Sequence, residues 1–285
     1  MKPRSIILLL SPSIALTFLL LLLPVGFLFR YSFYETDIAN QIAGGFSFAN
    51  FVKLLTDGFY LQIMAKTLLL SFTVTLVALV IGLLLAVYLW RASRRMRFPF
   101  TILVLSPLLV SVVVSSYGWI VILGTKGIIN NLLLAAGLID APIKLLYTNT
   151  AIAIGLIHLV IPFMVLPILS NLERIEGALT EAAATLGASP FHVWKEILLP
   201  LLVPGIAGGT NIVFALAMSA YVTPAVLGPS GPNFITTLIY QHFVTLFDWP
   251  TGSALAVVLF IMSMTVIALY SVFLARFGLK TIGAR

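Results

Sequence analysis

The 285-residue chain has no cysteine. That excludes disulfides, thiolate chemistry and cysteine-based metal sites. Charge is nearly as scarce. Sixteen Lys and Arg and nine Asp and Glu make up 9% of the residues, whereas an ordinary soluble domain carries about 25%. There are three histidines, His158, His192 and His242, and they are scattered. No Asp or Glu lies well inside any long apolar stretch. Paired carboxylates or a His cluster therefore have no residues to build them, which argues against an intramembrane enzyme. A GxxxxGK[S/T] loop is also missing, so the chain has no phosphate cradle of that kind.

What is present is apolar: hydrophobic residues make up 61% of the chain. A helix that crosses a bilayer needs about 20 mostly apolar residues. Six stretches qualify: 6–29, 67–90, 98–123, 149–170, 203–227 and 251–275. The first exceeds the 7–15 residues of a typical signal-peptide core and has no clear small-x-small cleavage site after it, so it is expected to be a retained span. The chain is thus read as one all-α, polytopic membrane domain over 1–285. With the N-terminus inside, the inside segments hold Lys2, Arg4, Arg91, Arg94, Arg95, Arg97, Arg174, Lys195, Arg276, Lys280 and Arg285. The outside segments hold Arg30, Lys53, Lys66, Lys126 and Lys144. The positive-inside rule then places both termini, the 91–97 loop and the 171–202 loop in the cytoplasm. The net charge of +7 is an orientation signal and implies no nucleic-acid partner.

Between the spans, Phe46 to Leu55 predicts a short amphipathic helix with Phe48, Phe51, Leu54 and Leu55 on one face. Residues 124–148 predict a short re-entrant or surface helix. Gly205-Ile-Ala-Gly-Gly209 carries a small-xxx-small pair, which lets helix backbones approach closely.

One polar segment stands apart, running from Glu181 to Pro200 between two apolar runs. Leu172–Leu186 is rich in Ala, Glu and Leu and predicts a helix. Gly187 permits a left-handed cap to end it. Ser189 and Pro190 read as N-cap and first residue of a second helix. That helix is expected over Phe191–Ile197, with Leu199-Pro200 closing it. Phe191, His192 and Trp194 beside Lys195 and Glu196 make an aromatic anchor with a polar rim, the composition of a protein interface.

Glu181, Ala182, Ala183, Gly187, Ile197, Leu199 and Pro200 stand in the register of the EAA loop. In that feature the chain resembles the binding-protein-dependent ABC importer permeases. The six-span layout, Asn50-Phe-Val-Lys-Leu, Gly127-Ile-Ile-Asn-Asn-Leu-Leu-Leu and Asp248-Trp-Pro-x-Gly-Ser-Ala254 resemble spermidine/putrescine permeases of the PotB/PotH type. Similar skeletons carry opines, phosphonates, ferric iron, thiamine or sulfate.

The resemblance implies the type I importer permease fold. It also implies a second permease subunit, non-identical in the polyamine type, two separate ATPase chains and a solute-binding protein outside. ATP and Mg would then sit on the ATPase, and this chain would hold no cofactor. Glu181 and Gly187 would shape the loop, and Pro190 to Lys195 would meet the ATPase. A secondary transporter is the distant alternative. It would show internal repeats and midplane ionisable groups, and only His158 offers one. Tyr117, Trp119, Thr210, Asn211, Ser219 and Tyr221, with Ser115 and Ser116, are candidates for a polar pathway through spans three and five. Asp140, Asp248 and Trp249 are candidates for outer-side docking or entry.

Overall fold

Backbone groups inside a bilayer find no water, so a spanning chain satisfies them internally as helix. The computed structural model describes residues 3–36, 42–175, 179, 183 and 185–282. Helix α1 (Pro3–Tyr31) leads into a hairpin of β1 (Tyr34–Thr36) and β2 (Ile42–Phe46), then α2 (Ala49–Thr56). Next come α3 (Gly58–Arg91), α4 (Arg94–Leu109), α5 (Val112–Leu123), α6 (Ile128–Ala135) and α7 (Asn149–Leu172). The second half holds α8 (Pro190–Val193), a π-helical turn (Trp194–Leu198), α9 (Leu199–Ser219) and α10 (Val222–Leu227). It ends with α11 (Ile235–Tyr240), a second π-helical turn (Gln241–Thr245) and α12 (Trp249–Ile282). Among the described residues, six segments are long and apolar enough to cross a membrane: Ser11–Ser32, Gly58–Arg91, Val112–Ala135, Asn149–Leu172, Pro190–Ser219 and Trp249–Phe273. The mainly helical, six-span architecture is the one expected from composition, with a two-stranded hairpin added and the third long apolar segment at Val112–Ala135 where 98–123 was expected.

Two spans are broken where the sequence reading ran them straight. Residues 98–123 form α4 and α5, interrupted at Val110 and Ser111, whose backbones are extended (ψ 137° and 136°). Pro107 weakens the last turn of α4 by removing a donor, and the β-branched run Val112–Val114 is stiff against helix continuation. The hydroxyl of Ser106 takes over for the missing amide, donating to Leu103 O at 2.8 Å. Residues 203–227 likewise divide into α9 and α10 at Ala220 (ψ 127°).

The sequence reading drew no boundary inside 1–285. Packing groups the chain into two compact units, Met1–Met64 with Ile235–Ile261, and Ala65–Phe234 with Met262–Arg285. In the first, the β1–β2 hairpin is antiparallel with Tyr34 opposite Phe46. Buried Asn50 clamps it to α2, its Nδ2 donating to Ser32 O (3.3 Å) and Tyr34 O (2.8 Å). That clamp sets which face of α2 packs. Asn50 and Leu54, four residues apart, are buried, whereas Phe48 and Leu55 of the expected apolar face are exposed. The rings of Phe33, Phe46, Phe48 and Phe51 cluster instead, Phe33 stacked on Phe46 and the other pairs edge-on or tilted.

In the second unit the core lies on α7, with Leu156, Val160, Met164, Ile168 and Leu172 fully buried. Lipid is as apolar as these side chains, so close packing holds such helices together. Gly205 and Gly209 of α9 make that packing possible. A Cβ on Gly205 would stand 2.9 Å from Pro167 O, and one on Gly209 would stand 2.9 Å from Met164 Sδ. The small-xxx-small pair therefore meets α7.

Candidate functional site

The segment between α7 and α9 is built from local rules. Glu181 and Ala182 lie outside the described residues. Ala183 and Thr185 are helical, and Gly187 takes the left-handed conformation (φ 79°). The amide of Ala188 reaches back to Ala183 O at 3.0 Å, the six-residue closure that ends a helix on glycine. Ser189 then accepts the amide of His192 on its side chain (3.3 Å), and Pro190 opens α8.

From there the structure departs from the expected stop. The chain does not break at Leu199-Pro200. It runs as continuous helix from Pro190 to Ser219. Pro200 has no amide for Glu196 O. The π-helical turn just before it, in which the Leu199 amide bonds Trp194 O, widens the helix by one residue and accommodates the ring. The continuation also separates the aromatic residues that composition grouped together. Phe191 is 74% exposed, His192 is exposed, and Trp194 turns inward against the α7 core. Leu186, passed over in the sequence, is 88% exposed. Lys195 and Glu196 are exposed, Ile197 is half-buried and Leu198 buried. Arg97 at the start of α4 forms an ion pair with Glu173 at the end of α7, and so ties the basic 91–97 loop to the entry of this segment.

The six pathway candidates separate into four places. Tyr117 is 60% exposed. Trp119 donates from Nε1 to His158 Nδ1 at 3.5 Å, with the rings edge to face; this leaves the imidazole proton on Nε2. Thr210 and Asn211 border an apolar void of ≈ 90 Å³ with Phe72, Leu76 and Tyr270. The Thr210 hydroxyl is bonded within its own helix. Asn211 Nδ2 donates to Ser271 Oγ at 3.1 Å, joining α9 to α12, while its buried Oδ1 has no hydrogen-bond partner among the described residues. Ser219 and Tyr221 line a larger cleft of ≈ 400 Å³, together with Pro107, Val110, Leu159, Phe163 and Leu216. Both helix breaks open on this cleft. Ser115 is half-buried, and Ser116 is buried with its hydroxyl bonded to Val112 O.

Of the outer-side candidates, Asp140 is exposed, whereas Asp248 is buried. Asp248 Oδ1 accepts the Thr251 amide (3.2 Å), capping α12, and its Oδ2 lies 3.3 Å from His242 Nδ1. The reading of Asp248 as an accessible docking charge is therefore corrected: α12 needs an N-cap, and the π-helical turn brings His242 alongside it. Trp249 is half-exposed and meets the rings of Tyr31 and Phe243 edge-on.

Residues 78–280 match the family model described as "Binding-protein-dependent transport system inner membrane component". The spermidine/putrescine transport system permease protein PotB of Escherichia coli (strain K12) is 32% identical over 252 residues, covering 88% of this chain and 91% of the relative. The inner membrane ABC transporter permease protein YdcU of the same organism is 31% identical, covering 91% and 83%. Among solved structures, a bacterial ABC transporter involved in the import of the acidic polysaccharide alginate shares the fold. Its TM-score is 0.80 at 21% identity, over 96% of both chains. The six apolar helices and these matches lead to one conclusion: the chain belongs to the binding-protein-dependent transport system inner membrane components, and is an inner-membrane permease subunit of an ABC importer.

Proposed function

We propose that this permease carries a polyamine such as spermidine or putrescine, delivered by a solute-binding protein outside. The similarity to a spermidine/putrescine permease over most of both chains supports this substrate class. The complex would contain a second, non-identical permease subunit and two ATPase chains. ATP and Mg would be bound on the ATPases, with no cofactor on this chain. Both termini and the 171–202 loop would face the cytoplasm, following the basic residues.

The observation that carries the coupling role is the segment from Ala183 to Pro200. It holds two large apolar side chains, Leu186 and Phe191, out into solvent. Gly187 and Ser189 fix their position by backbone geometry. Exposed apolar side chains rimmed by polar residues suit a partner surface. In this reading Glu181, Ala182, Ala183 and Gly187 shape the loop. Ser189, Pro190, Phe191, His192 and Lys195 meet the ATPase, and Trp194, Ile197, Leu199 and Pro200 pass the movement into α9.

The test is the ATPase activity of the purified complex with its binding protein, screened against putrescine, spermidine, amino acids and phosphonates. Stimulation by polyamines supports the reading. Stimulation by another solute keeps the permease and discards the polyamine. Gly187→Asp, at φ 79°, is expected to abolish uptake while the protein stays inserted; normal uptake by this variant would sink the coupling role.

A further inference from the structure

The junction of α3 and α4 gathers four arginines, Arg91, Arg94, Arg95 and Arg97. Arg97 is half-buried and pairs with Glu173. Arg91, Arg94 and Arg95 are exposed, and among the described residues no acidic side chain pairs with them. The first turn of α4 holds no acid either. Cations therefore crowd this end of the helix without a counter-charge from its own first turn.

Helix α4 has two faces. Arg97, Phe100, Val104 and Pro107 share one by their spacing. Phe100 and Val104 join the core built on α7, and Val104 and Pro107 are buried. The other face carries Arg94, Arg95, Phe98, Ile102 and Leu103, all exposed. It is cationic over its first turn and apolar beyond it. Phe98 is 72% exposed and Leu103 65%. About 14 Å of helix separates Arg94 from Leu103. Because α4 starts beside the end of α7 and packs along that span, the arginines stand at the bilayer surface and the apolar side chains below it.

A soluble partner could neutralise the arginines but would leave Phe98, Ile102 and Leu103 unmet. A phospholipid offers both chemistries in the same order, a phosphate at the surface and acyl chains beneath. Guanidinium forks bind phosphate oxygens in pairs, and basic clusters beside a span attract anionic lipids. We propose that the α3–α4 junction is a binding site for an anionic phospholipid. Its headgroup phosphate sits on Arg91, Arg94 and Arg95, and an acyl chain lies along Phe98, Ile102 and Leu103. Arg97 stays with Glu173 and holds the junction beside the entry to the coupling segment.

The experiment uses the whole transporter in proteoliposomes of equal phosphatidylglycerol and phosphatidylcholine. Leu103→p-benzoylphenylalanine places a photoreactive ketone among the acyl chains, and the cross-linked peptide is weighed for its lipid. Only chains that co-purify with the ATPase are counted, which leaves out misinserted ones. Cross-links to phosphatidylglycerol are expected to exceed those to phosphatidylcholine at least tenfold. Arg91→Gln, Arg94→Gln and Arg95→Gln together should bring that ratio below twofold. Phe98→p-benzoylphenylalanine repeats the reading nearer the arginines, should the first reporter disturb folding. Added inorganic phosphate is expected to leave the ratio unchanged; its collapse would mean that the arginines take a free anion, against the proposal. A cross-link to a neighbouring subunit, equal yields from the two lipids, or a ratio untouched by the Gln variants would overturn the lipid site. Loss of the ATPase from the Gln variants would give the arginines to that partner and overturn it as well.

Discussion

Helices α1 and α7 are apolar to a similar degree, yet half of the α7 span is buried and none of the described α1 span is. Leu19, Leu20, Leu21 and Phe27 of α1 stand exposed, while Leu156, Val160, Met164 and Ile168 of α7 are wholly enclosed. Apolarity therefore reports the solvent of a helix and says nothing about its neighbours. Enclosure comes from small residues opposite: Gly82, Gly205 and Gly209 all face Met164, Pro167 or Asn171 of α7. An exposed face as large as that of α1 is left for lipid or for another subunit.

Three substitutions break or sharpen this contrast. Gly205→Leu should act most strongly, because the nearest atoms include the fixed backbone oxygen of Pro167. Overpacking of this kind costs about 1–3 kcal/mol, and a value near the top is expected in reversible unfolding of the detergent-solubilised chain. A neutral result would mean that α7 and α9 pack less closely than described. Ser189→Ala removes the cap of α8 and should cost about 1 kcal/mol, detected as faster amide exchange confined to residues 191–193. Exchange rising along all of α9 would show that the cap governs the whole helix. Leu20→Ala in α1 should shift the chain's stability by less than about 0.5 kcal/mol. If it also leaves co-purification of the other subunits intact, α1 faces lipid. Loss of a subunit would identify its exposed face as an interface.

The same contrast explains what the sequence could and could not disclose. The spans were legible because about 20 apolar residues in a row have few other uses. The turn at Gly187 and the cap at Ser189-Pro190 were legible because each depends on residues within one helical turn. Chain interruptions at Val110 and Ala220 were not, since the stretches around them stay apolar apart from single serines, Ser111 and Ser219, and hydropathy cannot see a change in ψ. Composition alone groups Trp194 with Phe191 and His192; the π-helical turn that carries the chain past Pro200 turns its ring inward. Asp248 was taken for an outer-surface charge because its partnership with His242 depends on a second π-helical turn and a residue with positive φ, Phe247. The ion pair between Arg97 and Glu173 joins positions that no local pattern relates.

The helix that refuses to stop at Pro200 has a mechanical consequence. Pro190 to Ser219 is a single rod of 30 residues, about 45 Å long, so a tilt of about 5° pivoting at one end displaces the other by about 4 Å. Phe191 sits at one tip and Ser219 at the other. A push at the first tip too small to unfold anything is carried along the helix to the cleft lined by Ser219, less what the π-helical turn and Pro204 absorb.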